Sequence, residues 1–147
     1  MYIEYICSTP NWRNEGPCHD CVFIDTKEHE INLREIDAYE VACVLAFFSF
    51  HHAQDYYACA IVRWFDKVRN GPDENTSMWK VCPAALANCS LHITIIHVEK
   101  IYHAAHLIPI YGNWPIPQDI TPLTSYNTFH LFYINKYVNH HAFEMVN

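Results

Sequence analysis

The strand pattern around which the chain is organised covers residues 56–65, Tyr-Tyr-Ala-Cys-Ala-Ile-Val-Arg-Trp-Phe. β-Branched and aromatic residues dominate this segment, and it contains neither Gly nor Pro. Alternate residues of a strand point to opposite faces, and both faces are apolar here except at Arg63. A strand that is apolar on both faces is typical of a segment buried on both sides. We therefore predict that residues 56–65 form the central strand of a small barrel or sandwich.

A second long apolar run, residues 39–50, precedes it. The five residues between the two runs, 51–55, suit a hairpin connection, so we expect two long antiparallel strands at the heart of the sheet. The charged stretch 26–38 is either a loop or a weak helix, and we favour a loop that makes an excursion from the barrel. Shorter strand patterns cover residues 2–7, 21–25, 78–82, 91–99 and, less regularly, 100–111.

The pattern changes after residue 112. Three prolines make residues 113–123 a semi-rigid connector. Thr124 or Ser125 can cap a helix, and aromatic residues then recur at helical spacing. These aromatic residues are Tyr126, Phe129, Tyr133 and Tyr137. We predict an amphipathic C-terminal helix at residues 124–141 that packs on the barrel.

Together these patterns predict a mainly β, β-rich α+β domain built on a small, partly open, SH3-like β-barrel. In this scheme residues 1–18 form an irregular lead-in and residues 19–112 form the barrel. The connector 113–123 follows the barrel, and the helix 124–141 packs on the barrel. A length of 147 residues suits one domain with a substantial core.

The net charge of −7 disfavours nonspecific binding to phosphate backbones. Arg63, Lys67, Arg69 and Lys80 lie close together in the sequence, but acidic residues interleave them, which favours a solvated hairpin over a nucleic-acid patch. No segment has the composition of a secretory signal or of a membrane-spanning helix, so we expect no membrane association.

The chain has seven cysteines, an odd number with no disulfide framework, and we expect free thiols in a reducing compartment. Cys18 and Cys21 have the spacing of half a zinc site. The candidates for a second pair are Cys82 with Cys89, or His103 with His106, and neither has a known spacing. We therefore predict no metal and no cofactor, and a small zinc-stabilised domain stays open as an alternative.

Catalytic motifs are missing from the sequence. With three glycines there is no Gly-x-Ser-x-Gly elbow, no phosphate loop and no dinucleotide fingerprint. We expect no enzymatic activity and assign no catalytic residue. The aromatic residues could supply a binding surface, although core packing explains most aromatic residues of a small β domain. On and beside the central strand we select Tyr57, Arg63, Trp64 and Trp79 as candidate binding residues.

Eight segments follow one another in an order that resembles a known family. They are residues 11–13 (Asn-Trp-Arg), 20–24, 41–50, 59–65, 71–81 (Gly-Pro-Asp-Glu-Asn-Thr-Ser-Met-Trp-Lys-Val), 95–98, 105–112 (Ala-His-Leu-Ile-Pro-Ile-Tyr-Gly) and 132–144. In this order they resemble the C-terminal module of the large transposon-encoded proteins of basidiomycete fungi, of the Kyakuja-Dileera-Zisupton and Plavaka type. The resemblance implies a mobile-element origin and a nuclear location. It carries no catalytic residue across, because the acidic nuclease core of such proteins lies outside this module.

The order of strands is also similar to that of the bromo-adjacent homology (BAH) domains of chromatin proteins, a fold-level analogy that implies no function by itself. We therefore expect a non-catalytic interaction module that docks a protein or a chromatin component, or that holds a transposase assembly together. A DNA-binding accessory domain of a transposase is the alternative.

Overall fold

The computed structural model describes residues 3–26, 38–113, 115–121 and 124–146. The strands are β1 Ser8–Trp12, β2 Gly16–His19, β3 Cys21–Asp25, β4 Tyr39–His52, β5 Asp55–Lys67, β6 Lys80–Pro83, β7 Ile93–His97, β8 Ile101–Ala105, β9 Leu107–Pro109 and β10 Phe132–Ile134. The helices are α1 Ser125–Thr128 and α2 His140–Val146, and a 3-10 turn covers Val98–Lys100. The chain is therefore mainly β, as predicted.

Eight of the strands form one antiparallel sheet with the order β8-β3-β4-β5-β6-β10-β9, in which β7 also pairs with β5. The strands β8 and β9 stand at opposite ends of this order, yet only His106 separates them along the chain. The sheet must therefore curl until its two ends meet. The result is the predicted barrel, nearly closed, with a short C-terminal helix.

The predicted hairpin of two long central strands is confirmed. β4 and β5 pair from Val41 opposite Phe65 to His52 opposite Asp55. Their turn is shorter than predicted, because only Ala53 and Gln54 lie between the strands. Both have positive φ, 49° and 83°, which is the backbone of a type I′ turn that suits the twist of a hairpin.

The barrel wall has an apolar cluster on each of its two faces. The inner cluster includes Phe23, Phe65 and Phe132, and the rings of Phe65 and Phe132 meet edge to face at 5.7 Å. The outer cluster consists of Val22, Ile24, Ala42, Val44, Ala60 and Val62, with Ile6, Trp64, Ile96, Val98 and Ile101 against it. Burial on both faces is therefore confirmed for the barrel half of β5. The prediction of burial on both faces is wrong for the half of β5 next to the hairpin turn, where Tyr56 is 60% exposed.

The N-terminal part differs from the prediction. Residues 3–7 are irregular and not an edge strand, whereas β1 and β2 form a two-stranded sheet inside the segment 1–18 that we predicted to be irregular. The predicted excursion at residues 26–38 lies, except for its two ends, outside the described residues. At those ends the Thr26 amide donates to the Ala38 carbonyl at 3.2 Å.

The single helix predicted at residues 124–141 is wrong. α1 is one turn, β10 follows it, and α2 starts only at His140. β10 hydrogen-bonds β6 on one side and β9 on the other, so it satisfies two strand edges that a helix would leave open. Tertiary pairing thus overrides the helical spacing of the aromatic residues. In the connector, the described residues 113 and 115–121 contain no helix or strand.

The C-terminal helix α2 nevertheless contributes to the barrel core. The Asn139 side chain accepts a hydrogen bond from the Ala142 amide at 2.8 Å and so caps the start of the helix. Met145 and Val146 are buried in the inner cluster beside Phe132. A helix of seven residues has little stability alone, so its order depends on this packing.

The connection between β5 and β6 is organised by Asp73. Oδ1 of Asp73 accepts hydrogen bonds from the amides of Asn75 and Thr76 at 3.1 Å. Its other oxygen, Oδ2, lies 2.5 Å from Nζ of Lys80, the first residue of β6. The hydrogen bond from Lys80 is the largest cause that lowers the pKa of Asp73, to about 2 from 3.8.

We predict that Phe132→Ala lowers the free energy of unfolding by about 3–5 kcal/mol, because it removes a fully buried ring from the inner cluster. Phe50→Ala is the matched control: Phe50 is 46% exposed, so its removal should cost about 1 kcal/mol or less. Denaturant unfolding of the two variants measures the difference. Equal losses would contradict the assignment of Phe132 to the core.

We also predict that Asp73 titrates near pH 2 and that Lys80→Met returns its pKa toward 3.8. Because the folded pKa lies below the ordinary value, the stabilisation by this ion pair is present above pH 3.8 and disappears as the pH falls through about 2. NMR titration of the side-chain carboxyl carbon measures both values. A wild-type pKa at 3.8 would show that the ion pair does not form in solution.

Candidate functional site

The hairpin of β4 and β5 extends past the barrel. β3 pairs with β4 only over residues 39–43, and β6 pairs with β5 only over residues 65–67. Beyond these segments, β7 pairs with residues 59–63 of β5. We call residues 46–61 together with β7 the arm.

One face of the arm is apolar and open to solvent, and we call it the aromatic face. The rings of Phe50 and Tyr57, which are opposite each other in the register, stack with centroids 5.1 Å apart. Phe48 stacks on Phe50 at 6.3 Å. The cross-strand pairs Phe48–Cys59 and Ile61–Ile95 extend this face over three strands. The aromatic face consists of Phe48, Phe50, Tyr57, Cys59, Ile61, Ile93 and Ile95.

A β-bulge at Leu45 directs the aromatic residues to this face. Val44 is opposite Val62, but Ala46 is already opposite Ile61, so one extra residue stands in β4. If β4 alternated regularly through residue 45, Phe48 and Phe50 would share the outer face with Val44. The bulge instead places them on the side that, within the barrel, is the inner one.

The aromatic face is therefore the uncovered continuation of the barrel interior. On β5 the same face carries Phe65 and Arg63, which are buried inside the barrel, and then Ile61 and Tyr57, which are half-buried on the arm. Four large side chains of the face are exposed: Phe48 at 37%, Phe50 at 46%, Ile93 at 45% and Ile95 at 62%. Large contiguous apolar surfaces are typical of interaction sites, so the aromatic face is the candidate binding surface.

The four residues selected from the sequence do not share one surface. Tyr57 lies on the aromatic face, and Arg63 is on the same side of β5 but inside the barrel. Trp64 packs against the outer cluster, where its indole nitrogen donates to Oγ1 of Thr94 at 2.7 Å. Trp79 is 3% exposed and belongs to the inner core, with Nζ of Lys67 5.2 Å from its ring centroid.

Sequence reasoning missed Phe48, Phe50 and Ile95, which are central to the exposed face. One available signal was the length of β4. A strand of 14 residues is several times longer than the part that β3 covers. Strands in globular proteins commonly have about five or six residues, so a much longer pair is expected to project from a small barrel.

Arg63 lines a cavity of about 240 Å³ at the junction between barrel and arm. Its Nη1 donates to Oδ1 of Asn127 at 3.1 Å and its Nη2 to the Tyr126 carbonyl at 3.3 Å, so both partners are neutral. Nε is buried and has no hydrogen-bond partner among the described residues. The guanidinium is thus a buried cation whose hydrogen-bond partners here carry no charge. The cavity is also lined by Pro17, Cys18, His19, Asp20, Cys43, Leu45, Tyr126 and Asn127.

Two thiols and Arg63 stand side by side on three neighbouring strands, and we call Cys21, Cys43 and Arg63 the row. Cys43 of β4 is opposite Arg63 on one side and opposite Cys21 of β3 on the other. The Cys43 thiol donates to the His19 carbonyl at 3.7 Å. The hydrogen bond with Cys21 and the positive charge of Arg63 lower the pKa of Cys43, and they outweigh burial and the charge of Asp20, which raise it. The same hydrogen bond, together with burial, raises the pKa of Cys21. All seven cysteines are free thiols.

The cysteines proposed as half a zinc site point to different neighbours. Cys21 contacts Cys43, whereas Sγ of Cys18 lies 3.9 Å from Oδ1 of Asp20. Burial, and then the charge of Asp20, raise the pKa of Cys18 to about 11. In the described ranges, no group of three or more His, Cys, Asp or Glu side chains has the arrangement of a metal site.

A second cavity, of about 570 Å³, lies between the N-terminal segment, β8 and α2. Here Nδ1 of His103 lies 3.0 Å from Oε2 of Glu4, which also accepts the Ala104 amide at 2.9 Å. The ring of His141 meets that of His103 edge to face at 5.1 Å. His106, the other member of the predicted pair, instead contacts Asn135 at 3.0 Å. These contacts tie the N-terminal segment and α2 to the barrel.

Comparison of the chain with protein-family models, with curated proteins and with solved structures finds no match. None of the helices in the described residues is long and apolar enough to span a membrane. The candidate site therefore stands on its own geometry: an exposed aromatic face on the arm and, where the arm leaves the barrel, a buried row formed by Arg63, Cys43 and Cys21.

Proposed function

We propose that this chain is a non-catalytic β-barrel interaction module that binds a protein partner through the aromatic face of the arm. The observation that carries the proposal is the run of stacked rings of Phe48, Phe50 and Tyr57, of which Phe48 and Phe50 are exposed. Rigid aromatic side chains give much contact area at a low entropic cost, and they dominate binding energy at protein interfaces. An open three-stranded sheet can receive such a partner without rearrangement.

The charge of the chain indicates the chemistry of that partner. A net charge of −7 repels phosphate backbones and attracts cationic segments. We therefore propose a basic protein segment that places apolar side chains on the aromatic face. A basic tail of a chromatin protein has this composition, which agrees with the docking role expected from the sequence.

A transposon origin and a nuclear location stay part of the proposal. Their support is the ordered series of segments that resembles the C-terminal module of basidiomycete transposon proteins. The aromatic segment 41–50 of that series lies in β4 and the segment 59–65 lies in β5, so each runs from the barrel into the arm. In such a protein the arm would dock the assembly on its partner.

The DNA-binding alternative has less support. It relied on Arg63, Lys67, Arg69 and Lys80. Arg63 is buried, Lys67 lies over the Trp79 ring and Lys80 pairs with Asp73 at 2.5 Å, so a phosphate would have to displace contacts of these three cations. Arg69 is exposed, and one exposed cation is little for a phosphate-binding patch.

Selection from a displayed library of random peptides tests the proposal. We expect the wild-type chain to enrich peptides that combine Lys or Arg with aromatic or aliphatic residues. The triple variant Phe48→Ser, Phe50→Ser, Tyr57→Ser should bind the enriched peptide about tenfold or more weakly, because it removes the anchors from the face. Fluorescence anisotropy with the labelled peptide measures both dissociation constants.

The matched control is the triple variant Tyr5→Ser, Ile116→Ser, Val138→Ser, which removes three side chains that are 86%, 50% and 46% exposed and lie outside the arm. It should bind like the wild type. Equal weakening by both triple variants, or enrichment of acidic peptides, would contradict the proposal. A wild-type dimer in sedimentation that the arm variant dissociates would show instead that the face binds a second copy.

A further inference from the structure

The row formed by Cys21, Cys43 and Arg63 has a geometry that permits covalent chemistry. The Val44 amide donates to the Asp20 carbonyl at 2.9 Å, next to the pair Cys21–Cys43. In an antiparallel ladder this makes Cys21–Cys43 a pair without mutual backbone hydrogen bonds, whose Cα atoms are about 4.5 Å apart. That spacing lies within the range of disulfides, about 4.4–6.8 Å. The two sulfurs can therefore be joined without moving the strands far.

The two thiols have different environments. Cys43 stands beside the guanidinium of Arg63 and lines the cavity of about 240 Å³, which gives a small molecule a route to its sulfur. Cys21 is one strand further from Arg63 in the register. Its pKa is raised by the hydrogen bond to Cys43 and by burial, although the Tyr126 hydroxyl and the charge of Arg63 act in the opposite direction. A thiolate next to a fixed positive charge is the more nucleophilic form of cysteine. Cys43 is thus suited to attack first and Cys21 to react second.

We propose that Cys43 and Cys21 form a reversible redox site that is oxidised by a hydroperoxide to a disulfide between β3 and β4. The Cys43 thiolate attacks the terminal peroxide oxygen, the O–O bond breaks, and the alcohol or water leaves with a proton, which gives a sulfenic acid on Cys43. The Cys21 thiol then attacks that sulfur, an S–S bond forms, and water leaves. In total, two thiols and one hydroperoxide give one disulfide, one alcohol or water from the peroxide, and one water.

Arg63 has a positioning role in this scheme. Its buried guanidinium has only neutral hydrogen-bond partners, and its Nε has none among the described residues. A cation in this setting stabilises a negative charge on the adjacent Cys43 sulfur.

The experiment treats the reduced full chain with hydrogen peroxide and follows free thiols, intact mass and disulfide-linked peptides. We expect the loss of two thiols and of two hydrogen atoms, and a peptide that joins Cys21 to Cys43. The product should return to the dithiol with a thiol reductant, because cross-strand disulfides are strained and readily reduced. A disulfide between Cys7 and Cys18, or oxidation of the exposed Cys89 while Cys43 stays reduced, would overturn the proposal.

Three variants separate the roles. Cys43→Ser should abolish disulfide formation, whereas Cys21→Ser should accumulate a sulfenic acid on Cys43 that dimedone traps. Cys59→Ser is the matched control, because Cys59 is buried on the same side of β5 but faces Phe48 and His97 instead of a cysteine. It should react like the wild type. A disulfide yield that falls equally in all three variants would contradict the proposal.

Arg63→Met tests the role of the charge at similar side-chain volume. We expect hydrogen peroxide to oxidise this variant about tenfold more slowly than the wild type. The oxidation rate of Arg63→Lys, which keeps a cation, should fall much less. Circular dichroism and thermal melting establish that each variant is folded. If Arg63→Met does not fold, the comparison of Arg63→Lys with the cysteine variants decides the assignment. An unchanged rate in folded Arg63→Met would remove Arg63 from the site.

Discussion

The pairing of β4 with β5 is the constraint on which the rest of the structure depends. The pairing runs from the inside of the barrel to the end of the arm, and its one irregularity is the bulge at Leu45. Because the bulge shifts the alternation of β4 by one residue, the side that holds Cys43 in the barrel holds Phe48 and Phe50 on the arm. A single strand pair therefore contributes to both the core and the exposed aromatic face. Because the arm continues strands of the barrel, its base is held by the barrel.

Closure of the barrel depends on two short strands that bring distant parts of the chain together. The segment from β8 to β9 turns at His106 and joins the two ends of the sheet. β10 then fills the gap between β9 and β6. The Ile134 amide donates to the Trp79 carbonyl and the Asn135 amide to the His106 carbonyl, both at 2.8 Å. Without β10 the edges of β6 and β9 would stay unpaired, which is costly for buried backbone groups.

The sequence was sufficient for the parts of the fold that rest on local patterns. The two long strands, their hairpin and the mainly β barrel followed from apolar runs rich in β-branched residues. β10 could not be predicted in the same way, because Phe132 and Ile134 belong to a stretch with helical spacing and become a strand only through their partners on β6 and β9. The two short helices that flank it were therefore merged into one.

The candidate site was predictable only in part, for a related reason. A segment that is apolar on both faces has the same pattern whether its own barrel or another molecule covers it, so the pattern at Tyr56 could not reveal its exposure. Trp79 was selected for its aromatic ring, yet the same property places it in the core. Tyr57 and Arg63 were informative, since Tyr57 lies on the exposed face and Arg63 interrupts an otherwise apolar strand.

Arg63 marks the point where the interior of the barrel becomes the face of the arm. Along β5 the buried Phe65 lies on one side of it and the half-buried Ile61 on the other. An apolar residue of similar size would continue the core there. A buried guanidinium that, among the described residues, has only neutral hydrogen-bond partners lowers stability. Residues that break the local rules of packing are expected at functional positions, because a purely structural role would be better served by another side chain. Arg63 is opposite Cys43 in the register. A thiolate on Cys43 would therefore offset part of the free energy that burial of the guanidinium costs.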